Sequence, residues 1–176
     1  LVATLTALVP LSVGLYEIPL LAKLFADPVV IAAGGEAYQM EAGFIIELWW
    51  WVLGFAGFAF LSSLVRELQK DMADVKGDAA VGCRTVPIVW GMRRAKALAL
   101  FDMGMIIAGL MTIRFLFLHD QLSYWYIGVG ITAPLLLSAG STYNAVSRIE
   151  HKRAGNLMKL AMVLAVGFAF LIRYLP

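Results

Sequence analysis

Four carboxylates follow one another at steps of four, three and four: Glu67, Asp71, Asp74 and Asp78. On a helix this spacing puts all four on one face. Like charges so arranged repel and weaken the helix that carries them. A divalent cation relieves that repulsion, and carboxylate oxygens suit a hard cation such as Mg2+. Mg2+ commonly takes one or two carboxylates, keeps waters and bridges to substrate phosphates. Arg66, Lys70, Lys76 and Arg84 lie among or just after the acids. They supply the positive charge that a diphosphate requires. The plain alternative is a solvated helix whose acids pair with Arg66 and Lys70. Position favours chemistry, because the acids directly follow an apolar run in a chain with few charges elsewhere. Gly77 weakens the last turn, so Asp78 is expected near a helix end.

The elements that must position these acids are membrane helices. The chain of 176 residues is 61% hydrophobic and 15% charged, against about 45–50% and about 25% in soluble domains. Apolar runs cover residues 1–22, 45–65, 97–118, 122–143 and 157–175. Each approaches the roughly 20 residues needed to cross a bilayer. Backbone polar groups in hydrocarbon must be satisfied within the segment, so each run is expected to be a helix. The fold class is therefore all-α, a transmembrane bundle with about five spans. Pro10 and Pro134 predict kinks. The pairs Gly54 with Gly57, Gly104 with Gly109 and Gly128 with Gly130 suggest close helix approach.

The basic residues set the orientation. Eleven of them lie in the loops after the second and fourth runs, from Arg66 to Lys96 and from Arg148 to Lys159. Lys23, Arg114 and Arg173 lie toward the other side. Both basic loops, and the acids with them, are therefore expected to be cytoplasmic in a multi-pass protein of the cell inner membrane. Trp49, Trp50, Trp51, Tyr124, Trp125, Tyr126 and Tyr174 then fall at the outer interface. Residues 23–47 read as an outer loop. The start at Leu1 does not read as a signal peptide and is expected to be an internal position of a longer chain. A net charge of +2 points to no nucleic-acid partner. The single cysteine, Cys83, permits no internal disulfide and reads as a reduced bystander. Asp102 reads as an interfacial acid near Arg93, Arg94 or Lys96, or as a border of a polar cavity. Glu17 has a structural role, Arg114 snorkels outward, and His119 and His151 read as surface residues.

The stretch RELQKDMADVKGDAAVGCRTVPIVWG, residues 66–91, resembles the second aspartate-rich region of the UbiA superfamily of intramembrane prenyltransferases. Arg66-Glu67, Lys70-Asp71, Asp74, Gly77-Asp78, Gly82, Thr85, Pro87 and Gly91 carry the resemblance. It implies a nine-helix membrane bundle with one aspartate motif after the second helix and another after the sixth. Residues 1–176 would then be the C-terminal part of that domain, helices five to nine. It also implies transfer of a prenyl group from a prenyl diphosphate, gripped through Mg2+, to an acceptor. Asp74 and Asp78 would be the metal-facing catalytic pair, with Asp71 a close third. Lys70, Arg66, Lys76 and Arg84 would bind the diphosphate. The family's first motif, an Asn-Asp followed by two spaced aspartates, is absent: Asn144 and Asn156 precede Ala145 and Leu157. The 176 residues alone are therefore expected to be inactive.

The form of the motif is most similar to the branch that uses geranylgeranylglyceryl phosphate in ether-lipid synthesis. Members that prenylate aromatic acceptors of the 4-hydroxybenzoate or homogentisate type share much of it. Two readings from other classes stand beside the enzyme. A transporter or channel segment predicts acids near the bilayer midplane and inverted repeats. A structural assembly subunit would tolerate loss of Asp74. Membrane lipids are partners under every reading.

Overall fold

A computed structural model describes the backbone of residues 2–25 and 35–172, with side chains at 2–18, 46 and 48–168. Lys23, Arg173, Tyr174 and the outer-loop residues 26–34 lie outside the described side chains. Every regular element among the described residues is helical. They are α1 (Val2–Phe25), α2 (Gly35–Ala80), α3 (Val86–Val89), α4 (Met92–Phe117), α5 (Gln121–Trp125), a π-helical stretch (Tyr126–Ile131), α6 (Thr132–Asn144) and α7 (Arg148–Ile172). The chain divides into two compact units, Leu1–Phe60 and Leu61–Pro176.

Three stretches are long and apolar enough to cross a membrane: Leu48–Ala80, Met92–Phe117 and Gln121–Asn144. Val2–Ile18 is a shorter apolar helix. The chain is an all-α integral membrane protein, and the five expected runs correspond to α1, α2, α4, the α5–α6 stretch and α7. The second run is longer than its apolar core suggested. Helix α2 begins at Gly35, inside the expected outer loop, and continues through the acidic stretch to Ala80. A crossing needs only about 20 residues. The seven charged side chains from Arg66 to Asp78 therefore ride on a helical extension beyond the hydrocarbon.

In the first unit, Gly14 admits Val52. A Cβ built at Gly14 would stand 2.8 Å from the valine side chain. In the second unit, Leu68 and Met72 of α2 pack on Ala95 and Ala99 of α4, with Leu64, Val86, Met92 and Leu98 around them. Helix α7 packs mainly on α6 through a stripe of His151, Ala154, Met158, Ala161 and Ala165, all buried. Small residues at this spacing let two backbones approach.

Several expectations need correction. The glycine pairs do not mark the close approaches: a Cβ at Gly57, Gly104, Gly109 or Gly128 would meet nothing within 4 Å. The tight place in the second unit is Gly167, where a Cβ would come 2.8 Å from the Tyr126 hydroxyl. Tyr126 is therefore packed into the bundle. Its hydroxyl donates to the Leu164 carbonyl at 2.9 Å. Pro134 acts as a helix perturbation with a π-helical stretch just before it. Proline cannot donate to the carbonyl four residues earlier, here Gly130, and inserted turns of this kind accommodate such breaks. Pro10 lies within a continuous α1.

Candidate active site

The acid-bearing end of α2 is built by a defined stop. Gly82 has a φ of 76°, a conformation glycine adopts without the Cβ penalty. The Cys83 N–H donates to the Asp78 carbonyl at 2.9 Å, and the Gly82 N–H to the Ala79 carbonyl at 3.2 Å. This pair of bonds is the Schellman arrangement. It ends the helix at Ala80, two residues after Asp78, so Asp78 is carried on the last turn. Thr85 and Pro87 then start α3, and Gly91, at φ 83°, starts α4. The glycines of the motif thus serve backbone geometry. Gly82→Ala is expected to destabilise by about 1–2 kcal/mol, the left-handed penalty. Thermal unfolding in detergent checks this, with Gly82→Asn falling between the two.

Along α2 the acids alternate with a buried face. Val65, Leu68, Gln69, Met72 and Ala73 are buried, while Arg66, Lys70 and Lys76 are exposed. Asp71, Asp74 and Asp78 are intermediate. Burial holds the Asp71 carboxyl above its usual range, and the neighbouring Asp78, Glu67 and Asp74 push it further the same way. Lys70 opposes them. Arg66, Lys70 and Lys76 stand on the same stretch as the four acids. Arg84 is exposed in the loop after α2.

One residue outside the motif reaches the acids. Arg148 Nη2 donates to Asp74 Oδ1 at 2.5 Å. Three devices hold the segment that delivers it. Lys96 Nζ donates to the carbonyls of Tyr143, at 3.0 Å, and Ala145, at 2.5 Å. The N–H groups of Val146 and Ser147 donate to Glu150 Oε2 at 2.7 and 2.8 Å. The Glu150 N–H donates back to Ser147 Oγ at 3.3 Å. Ser147 and Glu150 form a capping box, and these backbone N–H groups hold the Glu150 carboxyl at a pKa of about 2. Its folded value is depressed, so its contribution to stability is complete above the unfolded value near 4.5 and is lost as pH falls toward 2. Glu150→Gln is therefore expected to melt earlier than the parent at pH 7 and to converge with it near pH 2.

Beneath the acids lies a buried polar network. Gln69 Nε2 donates to Ser138 Oγ at 3.0 Å and Thr142 Oγ1 at 2.9 Å. Ser138 Oγ donates to the Ala154 carbonyl, and Thr142 Oγ1 to the Ser138 carbonyl. One amide thus ties α2 to α6, and through Ser138 to α7.

Among the described residues no three Asp, Glu, His or Cys side chains converge as a ready metal cage. Mg2+ does not need one, since it is held by one or two carboxylates with water and phosphate completing the shell. A row of carboxylates fits that role, since the side-chain oxygens of Asp74, Asp78 and Asp71 are of the hard type that Mg2+ takes. His151 is not a surface residue: it is 2% exposed, and neither ring nitrogen has a partner among the described residues. Burial, then the charge of Lys96, lowers its pKa. Asp102 is 5% exposed, and its Oδ2 has no partner among the described residues. It bonds to none of Arg93, Arg94 and Lys96. Arg114 stacks over the Tyr124 ring at 5.4 Å, and Cys83 is free and exposed.

With this geometry in view, a family model described as "UbiA prenyltransferase family" matches residues 1–163. The chain belongs to the UbiA prenyltransferase family. Curated relatives agree. A digeranylgeranylglyceryl phosphate synthase of Thermococcus sibiricus is 33% identical over 128 residues, covering 68% of this chain and 43% of that protein. One from Thermococcus onnurineus is 37% identical over 131 residues, covering 68% and 44%. One from Methanothermobacter thermautotrophicus is 38% identical over 121 residues, covering 67% and 41%. The chain spans less than half the length of these relatives. No solved structure matches the chain.

The UbiA membership gives the acidic face its context. Glu67, Asp71, Asp74 and Asp78 do share one side of α2, as their spacing requires. Arg148, Glu150 and Gln69 were not among the expected site residues. The Ser147-x-x-Glu150 capping pattern was visible in the sequence. Nothing local marked Arg148 as the partner of Asp74.

Proposed function

We propose that the protein carrying these residues is a Mg2+-dependent intramembrane prenyltransferase. It would move a geranylgeranyl group from its diphosphate to geranylgeranylglyceryl phosphate in ether-lipid synthesis. The observation that carries this reading is the row of carboxylates on the part of α2 outside the membrane, in a chain of this family. The names of the curated relatives support the acceptor. Residues 1–176 would be the C-terminal part of the transferase domain, with the acids on the cytoplasmic side of the cell membrane.

The chemistry follows from the residues. The allylic carbon–oxygen bond of the donor breaks and diphosphate leaves. The acceptor hydroxyl forms the new carbon–oxygen bond and releases its proton. The chemistry that Mg2+ would supply when bound there is neutralisation of charge on the departing diphosphate. Asp74 and Asp78, with Asp71, would hold the cation. Lys70, Arg66, Lys76 and Arg84 draw the diphosphate to it. Arg148, paired with Asp74, would keep that carboxylate compensated before substrate binds and would yield it to the cation. A buried prenyl chain gains about 0.8 kcal/mol per CH2, so the donor is best held with its tail in the bilayer.

The test uses the complete protein with geranylgeranyl diphosphate, comparing geranylgeranylglyceryl phosphate with 4-hydroxybenzoate, with and without Mg2+. Metal-dependent product with the glyceryl phosphate alone supports the reading. Product only with the aromatic acid moves the protein to quinone synthesis, and no product with either removes both. The 176 residues alone are expected to give no product, and turnover by them would refute the half-site reading.

A further inference from the structure

A groove of about 440 Å3 opens between α6 and α7, and none of its lining residues belongs to α2. Its size lies in the range of about 300–1,000 Å3 typical of ligand pockets. Its walls change character along α6. Leu136 and Leu137 line one end and are 57% and 61% exposed. Ser141 and Asn144 line the other, toward the end of the span. Arg153 of α7 borders the groove and forms no ion pair among the described residues. Glu150 borders it too, but its Oε2 already accepts from the Val146 and Ser147 N–H groups. Lys152 adds a second exposed cation beside Arg153. Val146 and Ile149, 90% and 65% exposed, present bare aliphatic surface on the same turn.

We propose that this groove holds one anionic glycerophospholipid of the bilayer. Its phosphate sits on Arg153, its headgroup against Ser141 and Asn144, and its hydrocarbon along Leu136 and Leu137. The match is one of polarity and charge. A cationic and polar end stands over an aliphatic one, and basic pockets between membrane helices recognise anionic headgroups. The site is independent of the prenyl-transfer reading, because it uses no residue of the acidic face.

The experiment is lipid binding to the complete, delipidated protein, followed by native mass spectrometry with phosphatidylglycerol, phosphatidylcholine or inorganic phosphate. Phosphatidylglycerol is expected to bind about fivefold or more tightly than phosphatidylcholine, from a single engaged cation. Arg153→Gln is expected to remove that preference. Gly140→Leu provides a charge-neutral check. A Cβ at Gly140 meets nothing within 4 Å, and Gly140 lines the groove, so a side chain added there should occupy the groove and expel the lipid, with the melting temperature reporting whether the fold accepts it. Unchanged phosphatidylglycerol binding by Gly140→Leu with an unchanged melting temperature overturns the proposal. So does displacement of the lipid by inorganic phosphate at matched concentration, which would mark a simple ion site. Failure of Ser141→Cys, in a background where Cys83 is replaced by Ser, to react with a thiol reagent at position 141 in the delipidated protein also overturns it, since another part of the protein would then cover the groove.

Discussion

Asp74→Ala in the complete protein is expected to lower kcat/KM for prenyl transfer by about 10²–10³-fold, the cost of losing one group aimed at charge developing in the transition state. The loss should fall on kcat and on Mg2+ activation, because the side chain works through the cation. Asp74→Asn keeps the shape and is expected to lose nearly as much, since a neutral amide is a poor ligand for a hard cation. The fold should survive. Asp74 is about one-third exposed, and Arg148 is mostly exposed. Breaking such a pair costs about 0–1 kcal/mol. Steady-state kinetics against Mg2+ concentration, with melting curves beside them, separate the two effects. A variant that keeps full activity at every Mg2+ concentration would show that Asp74 holds no catalytic cation.

The second large effect is structural. Gln69 is 1% exposed and is the amide that ties α2 to α6. Gln69→Leu removes two hydrogen bonds but strands no donor, because Ser138 and Thr142 still donate to carbonyls. Its expected cost is about 1–3 kcal/mol. Gln69→Glu is expected to cost more at neutral pH, about 3–5 kcal/mol, since it buries a charge with no cation opposite. The protonated carboxyl can donate again to one hydroxyl, so this variant should recover as pH falls toward 5. Thermal unfolding in detergent at two pH values reads both differences. Equal melting of the two variants at every pH would show that the position is wet.

The sequence carried the helices and the acidic face because both depend on local periodicity. Apolar runs of spanning length must be helical in hydrocarbon, and steps of four, three and four put Glu67, Asp71, Asp74 and Asp78 on one side. The stop after Asp78 was half visible: Gly82 belonged to the motif, but its reason, a left-handed C-cap, appears only in the backbone. Arg148 could not be found locally. It is separated from Asp74 by 74 positions, and packing alone selects that pair among several loop cations. His151 was misplaced because the fifth run was started at Leu157. Helix α7 begins at Arg148, and the buried stripe through Ala154, Met158 and Ala161 extends back to His151 at helical spacing. The glycine pairs misled for a related reason. A small residue permits close approach without requiring it, and the neighbour that uses the space is chosen by tertiary packing.

The most direct measurement of the central claim is Mg2+-dependent binding of geranylgeranyl thiodiphosphate, a slowly reacting donor analogue, to the complete protein and to its Asp74→Ala and Asp78→Ala variants. The account predicts binding by the parent that needs Mg2+ and is lost or greatly weakened in both variants, with their folds intact. Equal binding by all three, or binding indifferent to Mg2+, would contradict the assignment of the acidic face of α2 as the diphosphate site.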